Sequence, residues 1–261
     1  MPVARAMDTL VSNMIAASKR QDIAANNLAN VNTTGFKKDQ VSFATQYDAE
    51  KMVEAANLPE RKTSLRDDVY YGHIPVDMPV KIDAFYTSQS QGNAIFTGNP
   101  LDVAIEGEGY FVLQTPEGER YSRAGGFRLN EMQYLVNQSG YAVMGQNGPI
   151  NLAGETINIL ESGEIQVDGA LQDQLRIVTV DEQGALQKDK DSFYSLREGA
   201  KGVRNIRSPV LQTGTLESSN VKSIEELNSM TINMRAFEAS SKAVKTVERT
   251  VSRAINGVGK A

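Results

Sequence analysis

The 261-residue sequence has no cysteine and a single histidine, and each shortage closes off a class of chemistry. Without Cys there is no disulfide, no thiolate metal site and no thiol nucleophile, a state that suits a reducing cytosol or an exported protein held by packing alone. One histidine, His73, and no Gly-x-Ser-x-Gly turn leave nothing from which to build a Ser-His-Asp set. A lone His beside Tyr70, Tyr71 and Gly72 reads as a surface residue rather than a ligand. Clustered positive charge is also missing. The 27 Lys and Arg are scattered among 32 Asp and Glu for a net charge of -5, so neither nucleic acid nor an anionic membrane is an expected partner. No run approaches the roughly 20 apolar residues of a membrane span, and the N-terminus shows no apolar core or small-residue site of a cleaved secretory signal.

What is present is a pair of apolar seams at the two ends. Val3, Met7, Leu10, Met14, Ala17, Ala24, Leu28 and Val31 recur at alternating spacings of four and three, with Gln21 at the missing step. Val11, Ile15 and Ile23 widen the stripe beyond what one neighbouring helix covers. The helix is expected to stop at Thr33-Thr34-Gly35, with Gly35 in the left-handed position after the cap and Phe36 folding back as its apolar contact. Asn26, Asn27, Asn30 and Asn32 crowd this end although Asn is a poor residue inside a helix, which makes them candidates for amide contacts that set register across an interface. At the other end Leu227, Met230, Met234, Phe237, Val244, Val251, Ile255 and Val258 repeat the pattern, with Ser241 and Glu248 at intervening positions. Ser223 followed by Glu226 fits a capping box at its start.

Between the seams the texture changes twice. Residues 37–84 read as a connector, because Leu58-Pro59, Ile74-Pro75 and Met78-Pro79 forbid a long helix; Lys37 to Glu54 is open between a short helix and an extended arm. From Ala84 to about Arg207 short β-prone runs alternate with Gly-containing turns such as Pro116-Glu117-Gly118, Gln146-Asn147-Gly148 and Asp181-Glu182-Gln183-Gly184. Expected strands include Leu101–Ile105, Tyr110–Gln114, Arg120–Ser122, Tyr134–Asn137, Ile157–Leu160, Ile165–Val167 and Leu175–Val180. The fold class is therefore α+β: N- and C-terminal helices packed as a coiled-coil-like domain (1–36 and 208–261), an extended connector (37–84) and a central antiparallel all-β domain (85–207).

Catalytic chemistry finds no foothold. Gly107-Glu108-Gly109 lacks the third Gly and the following helix of a dinucleotide loop and marks a turn or bulge. Glu106, Glu108 and Asp102 form no specific carboxylate pair, and no phosphate loop or metal-ligand spacing occurs, so no enzyme activity and no cofactor are expected.

Three blocks carry a family resemblance. Ala25-Asn26-Asn27-Leu28-Ala29-Asn30 with Thr33-Thr34-Gly35-Phe36-Lys37 resembles the Asn-Asn-Leu-Ala-Asn and Thr-x-Gly-Phe-Lys motif of bacterial flagellar rod and hook proteins. Gly98 to Phe111 with Tyr121-Ser122-Arg123-Ala124-Gly125-Gly126-Phe127 is similar to their central β-domain, and Gly214 to Val221 with Glu226-Leu227, Met230 and Arg235 to Glu238 to their closing helix. The resemblance implies a structural subunit of the basal-body rod, exported by the flagellar type III apparatus and partnered by itself and by other rod and hook subunits. It implies a location in the basal body across the periplasm. Assembly contacts are then expected at Leu10, Met14, Asn26, Asn27, Leu28, Asn30, Val31, Gly35 and Phe36, and at Leu227, Met230, Met234, Phe237, Val244 and Val251. Val143 to Ile150 is closer to the proximal rod subunit than to the distal one. Glu131-Met132-Gln133 departs from the family by lacking a turn glycine before Tyr134.

Overall fold

A computed structural model describes residues 2–45, 80–180, 185–189, 193–197, 199 and 202–258; His73, the Pro-rich middle of the connector and the turn 181–184 lie outside them. The chain forms two compact units. Unit 1 draws on residues 1–25, 41–85 and 224–261, and unit 2 comprises 26–40 and 86–223.

Unit 1 is built on the two terminal helices, α1 (Pro2–Ala29) and α2 (Ser223–Val258). They pack together, and Gln21 of α1 lines one shallow groove with Leu227, Met230 and Met234 of α2. The buried stripe of α1 here is small: Ala16, Ala17 and Ala24 are all but inaccessible. On α2 the most buried side chains of the face are polar, Glu226 and Asn233. Two extended segments, β1 (Asp39–Thr45) and β2 (Val80–Thr87), form a two-stranded ribbon, so the start of the connector is an arm and not a helix. Arg20 of α1 lies 4.1 Å from the ring centroid of Phe43 and Lys19 5.7 Å from that of Phe85, cation–π contacts between helix and ribbon.

Unit 2 is the antiparallel β-domain. Its central strand, β5 (Tyr110–Thr115), is apolar on both faces because it is covered on both. Phe111 and Leu113 enter the main core with Leu135, Val143, Ile150, Ile165, Ile177 and Leu211. Tyr110 and Val112 face a second cluster with Tyr121, Val178 and Tyr194. Strand β5 pairs with β6 (Gly118–Ser122), β9 (Ala142–Gly145) and β14 (Ile177–Val180). The sheet continues through β8 (Leu135–Val136) to β7 (Arg128–Leu129) on one side and through β16 (Tyr194–Leu196) to β15 (Leu186–Lys188) on the other. A three-stranded sheet, β11 (Ile157–Ile159), β12 (Glu164–Val167) and β13 (Ala170–Gln174), closes the main core. Two further pairs matter below: β4 (Val103–Glu106) with β18 (Val210–Thr213), and β3 (Ala94–Phe96) with β19 (Thr215–Glu217).

The turns follow their residues. Asp168 and Gly169, at φ 49° and 84°, join β12 to β13 with both central residues left-handed, as a type I′ hairpin requires. In the turn before Tyr134, Gln133 sits at φ 64°. A non-glycine residue there costs about 1 kcal/mol. Gln133→Gly should remove that strain at some entropic cost, raising the melting temperature of unit 2 by roughly 1–3 °C in a thermal circular-dichroism scan.

Two boundaries differ from expectation. Helix α1 ends at Ala29, before Thr33, because the backbone after it tightens into successive turns. Residues 208–222, expected in the C-terminal helical segment, supply β18 and β19 and belong to unit 2. Leu175, expected within a strand, makes only an isolated bridge to Gly145.

Candidate functional site

The segment after α1 is fixed by its own motif residues. Asn27 is buried and bonds the backbone of Asp39 in both directions: its amide donates to the Asp39 carbonyl and its carbonyl oxygen accepts from the Asp39 N–H, each at 2.9 Å. Asn30 donates back to the Asn26 carbonyl and accepts from the Thr33 hydroxyl. Gly35 is left-handed at φ 67°, and its N–H donates to the Glu217 carbonyl at 2.8 Å. A Cβ there would come within 2.5 Å of the Ala124 nitrogen, so both conformation and space demand glycine. Phe36 is buried, and the Lys188 ammonium stands 3.6 Å above its ring.

Behind this turn lies a buried ion cluster. Glu217 accepts from Lys37 at 2.6 Å, from the Arg123 Nε at 2.5 Å and from the Gly92 N–H at 2.9 Å. The side chains of Lys37, Arg123 and Glu217 are only 2–3% exposed. Arg123 also donates to the carbonyls of Ile105, Gly107 and Gly109, and Lys37 donates to the Ser90 carbonyl. The bare Gly107-Glu108-Gly109 is thus a turn whose carbonyls receive Arg123. Burial opposes the charge of Glu217, but Arg123 beside it and the bonds from Lys37 and Gly92 hold its carboxyl below the ordinary range. Burial also pulls the Lys37 ammonium below its ordinary value, more than the bond to Glu217 lifts it.

A depressed carboxylate stabilises the fold fully above its unfolded pKa and loses that contribution as pH falls through the folded one. The urea midpoint of unit 2 should therefore hold from neutrality down to about pH 4.5, the ordinary value of the group, and fall below it. Glu217→Gln should lose most of that acid dependence, as measured by urea titrations at stepped pH.

The same turn gathers the points at which the chain leaves unit 2. The Ser88 N–H donates to the Lys38 carbonyl at 2.8 Å, and the Thr87 hydroxyl to Asp39 at 3.0 Å. The Asn220 side chain accepts from the Lys38 N–H at 2.7 Å and donates to the carbonyls of Ser88 and Ser90. Lys188 closes the group with bonds to the Lys37 carbonyl and to Asp39.

The assembly residues expected from sequence therefore fall into two sets. Asn27, Gly35 and Phe36 are buried within unit 2 and make their contacts inside the chain. Asn26 is exposed, while Asn30, Leu28 and Val31 are half-buried, as are Leu10 and Met14 on α1. On α2 Met230, Val244 and Val251 are half-buried. Leu227, Met234 and Phe237 remain 51%, 55% and 39% exposed, next to the exposed Ile224. Val11 and Ile15 of α1, the residues that widened its seam, are exposed as well. Sequence reasoning missed Lys37, Arg123 and Glu217 as a set. The only signal was that each stands in a Gly-containing block: Gly35-Phe36-Lys37, Arg123-Ala124-Gly125 and Gly214-Thr215-Leu216-Glu217.

Two shallow grooves lie on the surface of the described residues. One, of about 580 Å³ on unit 2, is lined by Gln146, Gln174, Arg204, Asn205, Ile206 and Arg207. The other, of about 410 Å³, is the α1–α2 groove of unit 1. The first groove has no hydroxyl, thiol or carboxylate in its lining, and in the second the Thr231 hydroxyl is donated to the Leu227 carbonyl of its own helix.

Comparison with known proteins places these features. Residues 7–37 match the family described as flagella basal body rod protein, 104–188 the flagellar hook protein FlgE/F/G D1 domain, and 212–257 the flagellar basal body rod FlgEFG protein C-terminal region. The chain is similar to the flagellar basal-body rod protein FlgG of Agrobacterium fabrum, 30% identical over 262 residues that span 95% of this chain and 97% of that one. It is similar to FlgG of Borreliella burgdorferi, 30% identical over 284 residues spanning 97% and 98% of the two chains. The likeness to the rod protein FlgF of Rhizobium meliloti is 29% over 259 residues, 95% of each. The three blocks singled out by sequence fall inside or beside the matched regions, and the chain belongs to the flagellar basal-body rod protein family.

Proposed function

We propose that this chain is a non-enzymatic structural subunit of the flagellar basal-body rod, assembling with further copies and with other axial proteins through the apolar surface of its terminal helices. The observation that carries this reading is the stripe of Leu227, Met234 and Phe237 left exposed on α2 after α1 has packed. Val11 and Ile15 extend the apolar surface on α1. Exposed apolar area on helices of this length marks an association surface, and contacts between non-identical patches propagate as a helical array. Torque then passes through many desolvated contacts. The subunit reaches the basal body through the flagellar type III apparatus and lies across the periplasm. Within the rod, the Val143 to Ile150 stretch, which forms β9 and β10 (Gly148–Pro149), favours the proximal segment.

Imaging of isolated basal bodies carrying a labelled copy tests the reading. Density for the label along the proximal rod is expected. Label at the distal rod or hook would overturn the proximal position, and absence of label from the basal body would overturn the function.

A further inference from the structure

Three stretches far apart in sequence meet in unit 2 at one closure: 35–38 after α1, 88–93 before β3, and 217–220 after β19. The Glu217 carbonyl receives Gly35, its carboxylate receives Lys37 and Gly92, and the Asn220 N–H donates to the Phe36 carbonyl. The Ser218 N–H donates to the Asn93 carbonyl, and the Asn220 side chain takes Lys38 while holding Ser88 and Ser90. The fit is tight, since a Cβ on Gly92 would meet the Ser218 carbonyl oxygen at 1.9 Å. Lys37 and Glu217 are 180 residues apart, and Lys38 and Asn220 are 182. The β5–β6 and β12–β13 pairings, by contrast, join neighbours through two-residue turns.

Local pairings form ahead of distant ones, because a distant contact returns nothing until a long loop has closed. Apart from the buried Phe36 ring, the closure is held mainly by polar bonds, most of them to backbone, which gain their full strength only once all three stretches are in place. We propose that residues 217–220 are a completion latch: the segment 35–38 locks onto the β-domain only after the chain through Asn220 is in place, as the last step in folding unit 2. In a chain that is fed out from its N-terminus, the segment following α1 would then stay open until the C-terminal part has arrived. That consequence rests on the rod-subunit reading; the latch itself does not.

Native-state hydrogen exchange on the full-length chain is the test. The N–H groups of Gly35, Lys38, Gly92 and Ser218 are expected to share one opening free energy and one shallow urea slope, both below those of Leu113 and Tyr121 in β5–β6. Glu217→Gln should speed exchange at all four by a common factor of about 100. In pulse-labelled refolding of that variant, protection of Leu113 and Tyr121 should appear at the wild-type rate while the four lag behind. Asn220→Ala, at a half-buried side chain, gives a milder second variant with the same pattern should Glu217→Gln fail to fold. Four unequal openings, a single opening shared with β5–β6, or β5–β6 protection slowed along with the four would overturn the latch. Label in the rod together with any of those results would leave the functional reading standing and remove the latch alone.

Discussion

Glu217→Ala should cost unit 2 about 3–5 kcal/mol, the range for removing one partner from a buried ion group. For a unit of this size that corresponds to a drop in melting temperature of roughly 10–15 °C. The loss is large because of what stays behind. Lys37 and Arg123 are both buried, and their positive charges would face each other with only backbone carbonyls for compensation. The Gly92 N–H would also lose its acceptor. Replacing Lys37 by Met in the same background should restore part of the loss by removing one unbalanced cation. Urea unfolding of the single and double variants, followed by far-ultraviolet circular dichroism, measures both. A cost below 1 kcal/mol for Glu217→Ala would mean that water reaches the cluster and the charges are screened.

Met234→Asp and Phe237→Asp should abolish incorporation into the rod while leaving the isolated subunit folded. Both side chains are substantially exposed in the single chain, so a carboxylate there stays solvated and costs within about 0.5 kcal/mol. In an assembly that covers the stripe, the same carboxylate is desolvated without a partner, at several kcal/mol per subunit. Repetition along a polymer multiplies that cost. The pair of measurements is a thermal melt of purified protein, expected unchanged, and motility of cells in which the variant replaces the normal copy, expected lost. Normal motility would remove this stripe from the assembly surface. Leu28→Asp would not separate the two effects as cleanly, since Leu28 is already half-buried in unit 2.

Much of this architecture is legible in the sequence, for reasons that differ between its parts. The helices were readable because a repeat of three and four over many turns has few alternative explanations, and the capping pattern at Ser223 fixed where α2 begins. Strand β5 is readable as an apolar run that starts after Gly109, and β12 from the alternation of Ile165 and Val167 about Gln166 just before Gly169. Others were not. Strand β13, Ala-Leu-Gln-Asp-Gln, is largely polar because it lies at the rim of its sheet. Strand β3 carries Ile95 and Phe96 but is too short to establish a period. The asparagines stand out in the sequence as candidates for register contacts, and for Asn27 the amide is spent inside the chain, on Asp39. A buried amide bonding a backbone segment 12 residues away has the same composition signal as one bonding a neighbouring chain. The ion cluster was beyond reach for a related reason: its members are single charges from blocks 94 and 180 residues apart, and nothing local distinguishes a buried Lys or Arg from a solvated one.

The bonds among Asn27, Lys38, Asp39, Thr87, Ser88 and Asn220 bear on how unit 2 carries load. The chain crosses the rim of this unit four times, after Ala25, Gln40, Phe85 and Ser223, and beside each crossing a residue is bonded to the segment of another. A pull or twist arriving along one strand is therefore divided among its neighbours before it reaches the sheet. Each of these bonds joins two different crossing segments, so no one segment can leave the unit without breaking a bond to another.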